Sequence, residues 1–336
     1  MTVNLPLYLK PPTTVFVTGG SGFVGGRLIR TLIDAGFTVR ALARSDNAAA
    51  KVRALGAEPV MGDLGDIPAL TAGMTHCSAV FHSAANVEMW GPWDAFQSAT
   101  VDGTRNVIAA ARMAGVARLI HISTEAVLAG GKALIKVDER TPLPEHPNGF
   151  YPRSKGLAER AVLEANGQGL ATVIVRPRLI WGLGDTSVMP QIIHAMRSKQ
   201  WAWFGPDHQT STCHITNVCH GTLLAACHGV GGEIYFLTDG DDVGFHEFIS
   251  RLVETQGVTT NGLYLPLWLA DVGAAASEFV WRTLHLNGEP PLTRTVVNLF
   301  FREVTVSCDK ARRELGYFPI MRIDQGMTEL RDSFNQ

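Results

Sequence analysis

A tyrosine and a lysine lie one helical turn apart, an arrangement suited to proton transfer at a hydroxyl group. Tyr151 and Lys155 are separated by three residues near the predicted start of a helix, so both side chains lie on one face. A phenol has a pKa of about 10 and is a poor base at neutral pH. A neighbouring ammonium group favours the phenolate and lowers that pKa. We therefore expect Tyr151 to exchange a proton with a substrate hydroxyl or carbonyl oxygen.

Two hydroxyl side chains come at the end of an apolar run upstream of the tyrosine. The run Arg118–Ser123 predicts a buried strand, and Ser123 and Thr124 stand where it ends. A hydroxyl group at that edge of a parallel sheet can orient a substrate oxygen beside Tyr151. We expect Thr124, or alternatively Ser123, to take this role.

Three glycines stand between a predicted strand and a predicted helix near the N-terminus. The strand Thr14–Thr18 runs directly into Gly19, Gly22 and Gly25. Gly19 permits the tight turn, Gly22 lets the backbone approach a pyrophosphate, and Gly25 lets helix and strand pack closely. The helix N-terminus offers free N–H groups and a partial positive charge to phosphates. We predict a dinucleotide site whose turn contains Gly19, Ser21, Gly22, Phe23 and Val24.

The residue that follows the second predicted strand bears on which dinucleotide binds. The strand Thr38–Leu42 leads to Arg44 and not to the carboxylate that would bond a ribose 2′-hydroxyl. A guanidinium group can hold a 2′-phosphate, which favours NADP(H) over NAD(H), although a solvated surface arginine is the alternative. The ends of the third and fourth strands add predicted cofactor contacts at Asp63, Leu64, Ser83, Ala84 and Ala85.

The elements that must position these residues alternate along the first half of the chain. Short apolar runs indicate strands at Thr14–Thr18, Thr38–Leu42, Glu58–Met61, Ala79–His82, Arg118–Ser123 and Ala171–Arg176. Helical periodicity between them indicates helices at Gly25–Ala35, Val101–Ala114 and Ser154–Asn166. Strands that alternate with helices predict an α/β fold, a Rossmann-type doubly wound parallel sheet over residues 1–177.

The pattern loosens after about residue 177. Short strands are expected near Cys213–Ile215 and Glu233–Leu237. Helices are expected at Met189–Gln200, Asn217–His228, Phe245–Thr255, Leu265–Leu286 and Asp309–Leu315. We predict a smaller, mainly helical substrate lobe over residues 178–336, with some crossing of the chain between the two parts.

Composition narrows the class of partner. The chain has 336 residues, of which 46% are hydrophobic, so it can bury a large core. Its net charge of −2 gives no electrostatic reason to bind nucleic acid. Five cysteines without a C-x-x-C pair, and a Met1–Pro12 segment without a cleavage pattern, predict a cytoplasmic protein. The pairs Cys213-His214, Cys219-His220 and Cys227-His228 match no zinc spacing, and no metal is expected.

Taken in order, these motifs resemble an extended short-chain dehydrogenase/reductase along nearly the whole chain. The matching stretches are TGGSGFVG, GDL, FHSAA, VDGT, HISTEAV, YPRSK, RPRLIWG and ARRELGYFP. The resemblance implies that Tyr151 is the acid/base, that Lys155 holds the cofactor ribose and tunes Tyr151, and that Thr124 or Ser123 is the hydroxyl partner. It also places Pro177 beside the nicotinamide. The same resemblance implies a homodimer whose interface is formed by two helices, Val101–Ala114 and Ser154–Asn166.

Two positions depart from the pattern of that family. Thr100 stands where an asparagine usually precedes the V-x-G-T run, which puts a relay role there in doubt. Sugar-nucleotide dehydratases usually carry T-D-E after the hydroxyl strand. Here Glu125 follows Thr124 and Ala126 replaces the second acid, so dehydratase chemistry is disfavoured.

Segments of the second half are similar to the 3β-hydroxysteroid dehydrogenase branch, which includes bacterial 2-alkyl-3-oxoalkanoate reductases. They are RPRLIWGLGD, HITNVCHGTLLA, EIYFLTDGDDVGFHEF and NGEPPLTR. The apolar stretch Leu263–Leu286 can wall an apolar pocket, rest on a membrane surface or pack as ordinary core. Arg178 and Arg197 are available in this lobe to bind a diphosphate.

Three functions follow as alternatives. The leading one is NAD(P)-dependent hydride transfer between a secondary alcohol and a ketone on a hydrophobic substrate, such as a steroid or a β-keto lipid. The first alternative is a nucleotide-sugar epimerase or dehydratase with a tightly bound cofactor. The second is a catalytically silent protein that binds the cofactor and senses redox state.

Overall fold

The computed structural model describes residues 5–260 and 262–335, so Met1–Asn4 of the predicted N-terminal segment lie outside the described residues. The strands are β1 (Thr14–Thr18), β2 (Thr38–Ala43), β3 (Glu58–Met61), β4 (Ala79–His82), β5 (Arg118–Ile122), β6 (Leu134–Val137), β7 (Ala171–Pro177), β8 (Ile180–Trp181), β9 (Ala202–Phe204), β10 (Gln209–Thr210), β11 (Cys213–His214), β12 (Ile234–Leu237), β13 (Val243–Gly244), β14 (Leu263–Leu265) and β15 (Val304–Val306).

Helices follow most strands of the first half and dominate the second. The α-helices are α1 (Phe23–Asp34), α2 (Asp46–Ala54), α3 (Ile67–Met74), α4 (Trp93–Phe96), α5 (Gly103–Met113), α6 (Phe150–Glu164), α7 (Val188–Arg197), α8 (Ile215–His228), α9 (Phe245–Glu254), α10 (Leu267–Leu284), α11 (Arg294–Phe300), α12 (Asp309–Leu315) and α13 (Ile323–Phe334). A π-helical segment, Gln97–Asp102, leads into α5, and a 3-10 turn, Glu125–Leu128, follows β5.

Seven strands form one sheet in the order β12-β7-β5-β4-β1-β2-β3. Every neighbouring pair in it is parallel. The direction of winding reverses between β1 and β4, where the connecting loops diverge and leave a crevice at the carboxyl ends of the strands. This sheet confirms the predicted doubly wound Rossmann-type fold.

Alternate residues of β1 pack on opposite faces of the sheet, which explains its continuous apolar sequence. Val15 and Val17 join a core with Leu28 of α1, whereas Phe16 joins a second core with Leu70 and Val107. A parallel sheet with helices on both faces buries both sets of side chains. The two cores hold the strand ends, and therefore the crevice, in a fixed position.

The second half of the chain does not form an independent layer. Strand β12 pairs with β7 at the edge of the main sheet, and α8 packs against β5 and β7. Short strands also form a four-stranded sheet in the order β13-β10-β15-β6. The sequence prediction missed all four of these strands, because runs of two to four residues are too short to show a clear period of two.

A third core joins the helices of the second half. Trp181, Trp203, Phe245 and Phe248 are buried in it together with apolar residues of α7, α9, α10 and α13. The predicted boundary between residues 1–177 and 178–336 stays a prediction. Among the residues described, none of the helices combines the length and apolar composition needed to cross a bilayer.

Candidate active site

A cavity of about 770 Å³ opens at the carboxyl ends of the central strands and gathers nearly all of the predicted site residues. The predicted residues that line it are Gly19, Ser21, Gly22, Phe23, Val24, Arg44, Asp63, Leu64, Ser83, Ala84, Ala85, Ser123, Thr124, Tyr151 and Pro177. Lys155 is buried beside this cavity and does not line it. Residues from seven separate segments of the chain thus meet in one place, as the winding of the sheet requires.

The glycine turn is shaped for a phosphate group. Gly19 has a φ of +74°, a left-handed conformation that suits glycine. A Cβ atom added at Gly25 would collide with the Gly19 carbonyl oxygen, so only glycine permits this packing of turn and helix. Helix α1 begins directly after Gly22 without a side-chain cap, which leaves its first N–H groups available to an anion. These features fit the pyrophosphate of a dinucleotide.

Arg44 lies at the rim of the cavity after β2. Its side chain is exposed and has no hydrogen-bond or ion-pair partner within residues 5–260 and 262–335. Ser45, the next residue, caps α2 by accepting a bond from the Ala48 N–H at 3.3 Å. The cap fixes the backbone that follows Arg44, while the Arg44 guanidinium group stays free to meet a phosphate.

A buried histidine that the sequence prediction overlooked links β4 to the end of β1 and to α5. The two ring nitrogens of His82 bond the hydroxyls of Thr18, at 2.8 Å, and Thr104, at 2.9 Å. Thr104 donates to the Thr100 carbonyl, so it accepts from the histidine Nε2–H. Burial lowers the pKa of His82 to about 3, and the ring is neutral at ordinary pH. Strand β4 is thereby fixed to the end of β1 and to the helix α5.

Thr100, the departure from the usual asparagine, has a structural role here. Its hydroxyl accepts from the Asn86 N–H at 3.0 Å, in the loop that leaves β4. Lys155 instead donates to the Ile122 carbonyl oxygen at 2.7 Å. Thr100 therefore holds the cavity wall, and no direct hydrogen bond links it to Lys155.

The helix that carries Tyr151 and Lys155 begins earlier than the sequence pattern predicts. α6 starts at Phe150, after Gly149 with a φ of +116°, and Ser154 lies inside its first turns. A Cβ atom at Gly149 would also clash with Thr295 of α11. Tyr151 is therefore placed in the first turn, pointing at the cavity, by a glycine that the sequence analysis did not single out.

The electrostatics of the pair differ from the prediction that Lys155 lowers the pKa of Tyr151. Burial and the Glu125 carboxylate raise the pKa of Tyr151. Burial also lowers the pKa of Lys155 itself to about 8. The reason for the difference is that Lys155 turns its ammonium group towards the Ile122 carbonyl, while a carboxylate acts on the phenol.

The two candidate hydroxyls have different surroundings. The Ser123 oxygen is buried and has no hydrogen-bond partner among the described residues, as expected of a group completed by a bound molecule. Thr124 donates to a Glu125 carboxylate oxygen at 2.9 Å and accepts from the Ala126 N–H at 3.2 Å. One lone pair of the Thr124 oxygen remains for Tyr151.

Glu125 and Arg178 form a buried ion pair that the sequence analysis missed. Arg178 donates to the second carboxylate oxygen of Glu125 at 2.8 Å, and both side chains are nearly inaccessible. The signal was present in the sequence, because Glu125 follows β5, Arg178 follows β7, and these strands are neighbours in the sheet. Residues that follow neighbouring parallel strands meet at the same edge.

The far side of the cavity is apolar. It is lined by Val87, Met89, Leu179, Ile180, Val188, Leu299 and Phe300. None of the cavity-lining residues comes from Leu263–Leu286, so the pocket-wall alternative for that segment is wrong. Trp90 and Trp93 do not line it either; Trp93 packs on Phe150, with ring centres 5.5 Å apart. An apolar wall beside a few polar groups is typical of a small-molecule site.

Neither arginine proposed for a diphosphate is available on this side. Arg178 is committed to Glu125, to Thr210 at 3.1 Å and to the Leu299 carbonyl at 2.6 Å. Arg197 lies at the end of α7, does not line the cavity and reaches the Gln256 carbonyl at 3.4 Å. The cysteine–histidine pairs also lie elsewhere, and within the described ranges no three potential ligands are grouped to hold a metal ion.

Comparison with known proteins places this geometry in a family. A family model described as the 3-beta hydroxysteroid dehydrogenase/isomerase family matches residues 16–267. The chain is 48% identical to a 4-hydroxy-2-methyl-3-oxo-4-farnesyl-3,4-dihydroquinoline-1-oxide ketoreductase of Stigmatella aurantiaca, covering 95% of this chain and 96% of that one. It is 34% identical to a 2-alkyl-3-oxoalkanoate reductase of Stenotrophomonas maltophilia, covering 95% and 98%.

Solved structures share the fold. The structure of MoeE5 in complex with UDP-glucuronic acid and NAD superposes with a TM-score of 0.72 at 22% identity, covering 95% of this chain and 98% of that one. At that identity the likeness concerns the fold alone.

Proposed function

Because the chain belongs to the 3-beta hydroxysteroid dehydrogenase/isomerase family, we propose that it reduces a ketone on a large apolar molecule with NADPH. As a member of that family it is an NAD(P)-dependent oxidoreductase that interconverts a secondary alcohol and a ketone. The observation that carries the finer proposal is the cavity itself. It joins a glycine turn to Thr124 and Tyr151 on one side and to an apolar wall on the other.

In this proposal the cavity residues would bind NADPH beside Tyr151. The glycine turn and the N-terminus of α1 would hold the pyrophosphate, Arg44 the 2′-phosphate, and Asp63 with Leu64 the adenine side. Ser83, Ala84, Ala85 and Pro177 would line the rest of the cofactor, and Lys155 would hold the nicotinamide ribose. When bound, the cofactor supplies the hydride that reduces the carbonyl carbon.

Tyr151 supplies the proton that completes the reduction. Its phenol donates to the carbonyl oxygen, and the raised pKa of Tyr151 keeps it protonated and able to donate at neutral pH. Lys155 stabilises the phenolate that remains, and water restores the proton. The apolar wall excludes water from the reacting carbon and binds the hydrocarbon part of the substrate.

The names of the relatives support a ketone on a hydrocarbon-rich molecule. One name carries an oxo group and a farnesyl chain, and the other carries an oxo group and an alkyl chain. A cavity side lined by Val87, Met89, Leu299 and Phe300 suits such groups. A nucleotide-sugar function is less well supported, because the arginines that could bind a diphosphate are paired or distant.

An assay with a substrate panel tests the proposal. The purified chain is mixed with NADPH or NADH and with long-chain β-keto esters, a sterol ketone, an alkylated quinoline ketone or nucleotide sugars. We expect net loss of NADPH absorbance with the apolar ketones. Conversion of a sugar without net cofactor change would favour the epimerase alternative, and tight cofactor binding without turnover on any member would favour a redox sensor.

Three further features stay proposals. We propose that the protein is cytoplasmic and that it forms a homodimer through α5 and α6. We also propose that the exposed apolar face of α10 contacts a membrane surface. That face carries Trp268, Val272 and Phe279, each more than half exposed. Light scattering tests the dimer. Sedimentation with lipid vesicles tests the contact, because Trp268→Glu with Phe279→Glu should leave the protein in the supernatant.

A further inference from the structure

The hydroxyl of Thr124 has its hydrogen committed away from Tyr151. It donates to Glu125 at 2.9 Å, and one of its lone pairs accepts from the Ala126 N–H at 3.2 Å. An ionised carboxylate is an acceptor only, so the direction of the bond to Glu125 is fixed. The remaining lone pair of Thr124 can accept a hydrogen from Tyr151, and Thr124 has no second hydrogen to give.

Arg178 pairs with the Glu125 carboxylate and holds it in place. Its guanidinium group bonds the second oxygen of Glu125 and continues to the Thr210 hydroxyl and to the Leu299 carbonyl of α11. Both members of the pair are almost fully buried, and burial without a partner would neutralise a carboxylate. The hydrogen-bond chain therefore runs from α11, which lines the substrate side, to the catalytic hydroxyl.

We propose that Glu125, held by Arg178, is a positioning residue that makes Thr124 a hydrogen-bond acceptor for Tyr151 and so keeps Tyr151 in its acid form for ketone reduction. The inference rests on the acid/base role proposed above for Tyr151. In the reducing step a C–H bond forms from the hydride, and the carbonyl π electrons move to oxygen. The Tyr151 O–H bond breaks as the alcohol O–H forms. The phenolate left behind then takes a proton from water.

The opposite direction needs the opposite form of Tyr151. Alcohol oxidation requires the phenolate, and the charge of Glu125 disfavours it. The only hydroxyl hydrogen of Thr124 is donated to Glu125 and is not available to the phenolate. Lys155, on the same helix, is the cation that would favour it. The other charged groups on the elements packed against α6 do not line the cavity; they are Asp94, Asp102, Arg105, Arg112 and Arg176.

The pH dependence of the two reactions tests this role, because the ketone–alcohol equilibrium itself is independent of the enzyme. In Glu125→Gln, Arg178 can still donate to the amide oxygen, while the amide N–H faces Thr124 and turns the Thr124 hydrogen towards Tyr151. We expect the pH at which alcohol oxidation reaches half its maximum to fall by about one unit or more. The pH at which ketone reduction declines should fall by the same amount.

Two matched variants separate charge from packing. Glu125→Asp keeps the charge and should titrate close to the wild type. Glu139→Gln removes another partly buried carboxylate, which accepts from the Phe236 N–H at 2.9 Å and does not line the cavity, and should leave both profiles in place. If Glu125→Gln does not fold, Glu125→Met with Arg178→Met removes both charges and should show the same shift.

The outcomes are distinct. If the neutral Glu125 variants turn over and their pH profiles superpose on those of the wild type, the positioning role alone is overturned. Full activity of Tyr151→Phe overturns the underlying acid/base assignment instead. A shift in the neutral variants but not in Glu125→Asp supports the inference.

Discussion

The Glu125 carboxylate favours the neutral phenol of Tyr151. Lys155 donates its ammonium hydrogen to the Ile122 carbonyl, and burial lowers the pKa of Lys155. Tyr151 is therefore held in the protonated form, which is the form that ketone reduction requires.

Tyr151→Phe tests the acid directly. The variant keeps the ring and loses the proton donor, so we expect turnover to fall by about 10²- to 10⁴-fold. NADPH binding, measured by fluorescence titration, should change little, because the cofactor contacts lie mostly on the strand-end loops. A variant with wild-type turnover would show that another group supplies the proton.

Arg44→Asp tests the cofactor preference. Loss of a charge-assisted bond to the 2′-phosphate should reduce the NADPH-to-NADH preference in kcat/KM by roughly 10- to 100-fold. Arg53→Asp is a matched control, since Arg53 is exposed on α2 and does not line the cavity. An unchanged preference in Arg44→Asp, or an equal change in the control, would refute the phosphate contact.

The burial of Lys155 predicts a pH effect on stability. Its pKa falls from 10.5 to about 8 on folding, so between these pH values the unfolded chain holds a proton that the folded chain has released. Stability then rises with pH in that window, by at most about 3 kcal/mol. Compared with Lys155→Met, the wild type should gain stability from pH 8 to pH 10 in urea unfolding. Lys51→Met, on the exposed side of α2, should run parallel to the wild type.

At the scale of elements, the strand ends were predictable and the contacts between them were not. The predicted strands of the main sheet in the first half agree with the structure to within one residue, because their apolar runs are bounded by turns. The early start of α6 depends on Gly149 and its contact with Thr295, which lies far away in the chain. The partner of Glu125 is likewise set by strand order, which a linear pattern does not carry.

Two neighbouring glycines in α1 give a sharp test of the turn. An alanine Cβ at Gly25 would overlap the Gly19 carbonyl, so Gly25→Ala should lower the melting temperature and weaken NADPH binding at least tenfold. At Gly26 the same atom would meet its nearest neighbours at 3.4 and 3.5 Å, an ordinary contact. Gly26→Ala should therefore bind NADPH normally and gain up to about 1 kcal/mol of helix stability. Equal behaviour of the two variants would contradict the role assigned to the turn.

At the scale of the whole molecule, the second half completes the fold as well as the substrate side. Strand β12 closes one edge of the main sheet, and the Leu299 carbonyl of α11 accepts from Arg178, the partner of Glu125. The sequence predicted an apolar substrate lobe, with Leu263–Leu286 as one candidate for the pocket wall, and that segment does not line the cavity. The wall is instead assembled from short segments far apart in the chain, a property of tertiary packing that periodicity cannot reveal.

The most direct test of the central claim follows the hydrogen that is transferred. The enzyme is incubated with an apolar β-keto ester and NADPH deuterated at the transferring carbon, and the product is analysed by mass spectrometry and NMR. The proposed function predicts one deuterium on the new carbinol carbon for each NADPH consumed. A product without deuterium at that carbon, or conversion without NADPH consumption, would contradict it.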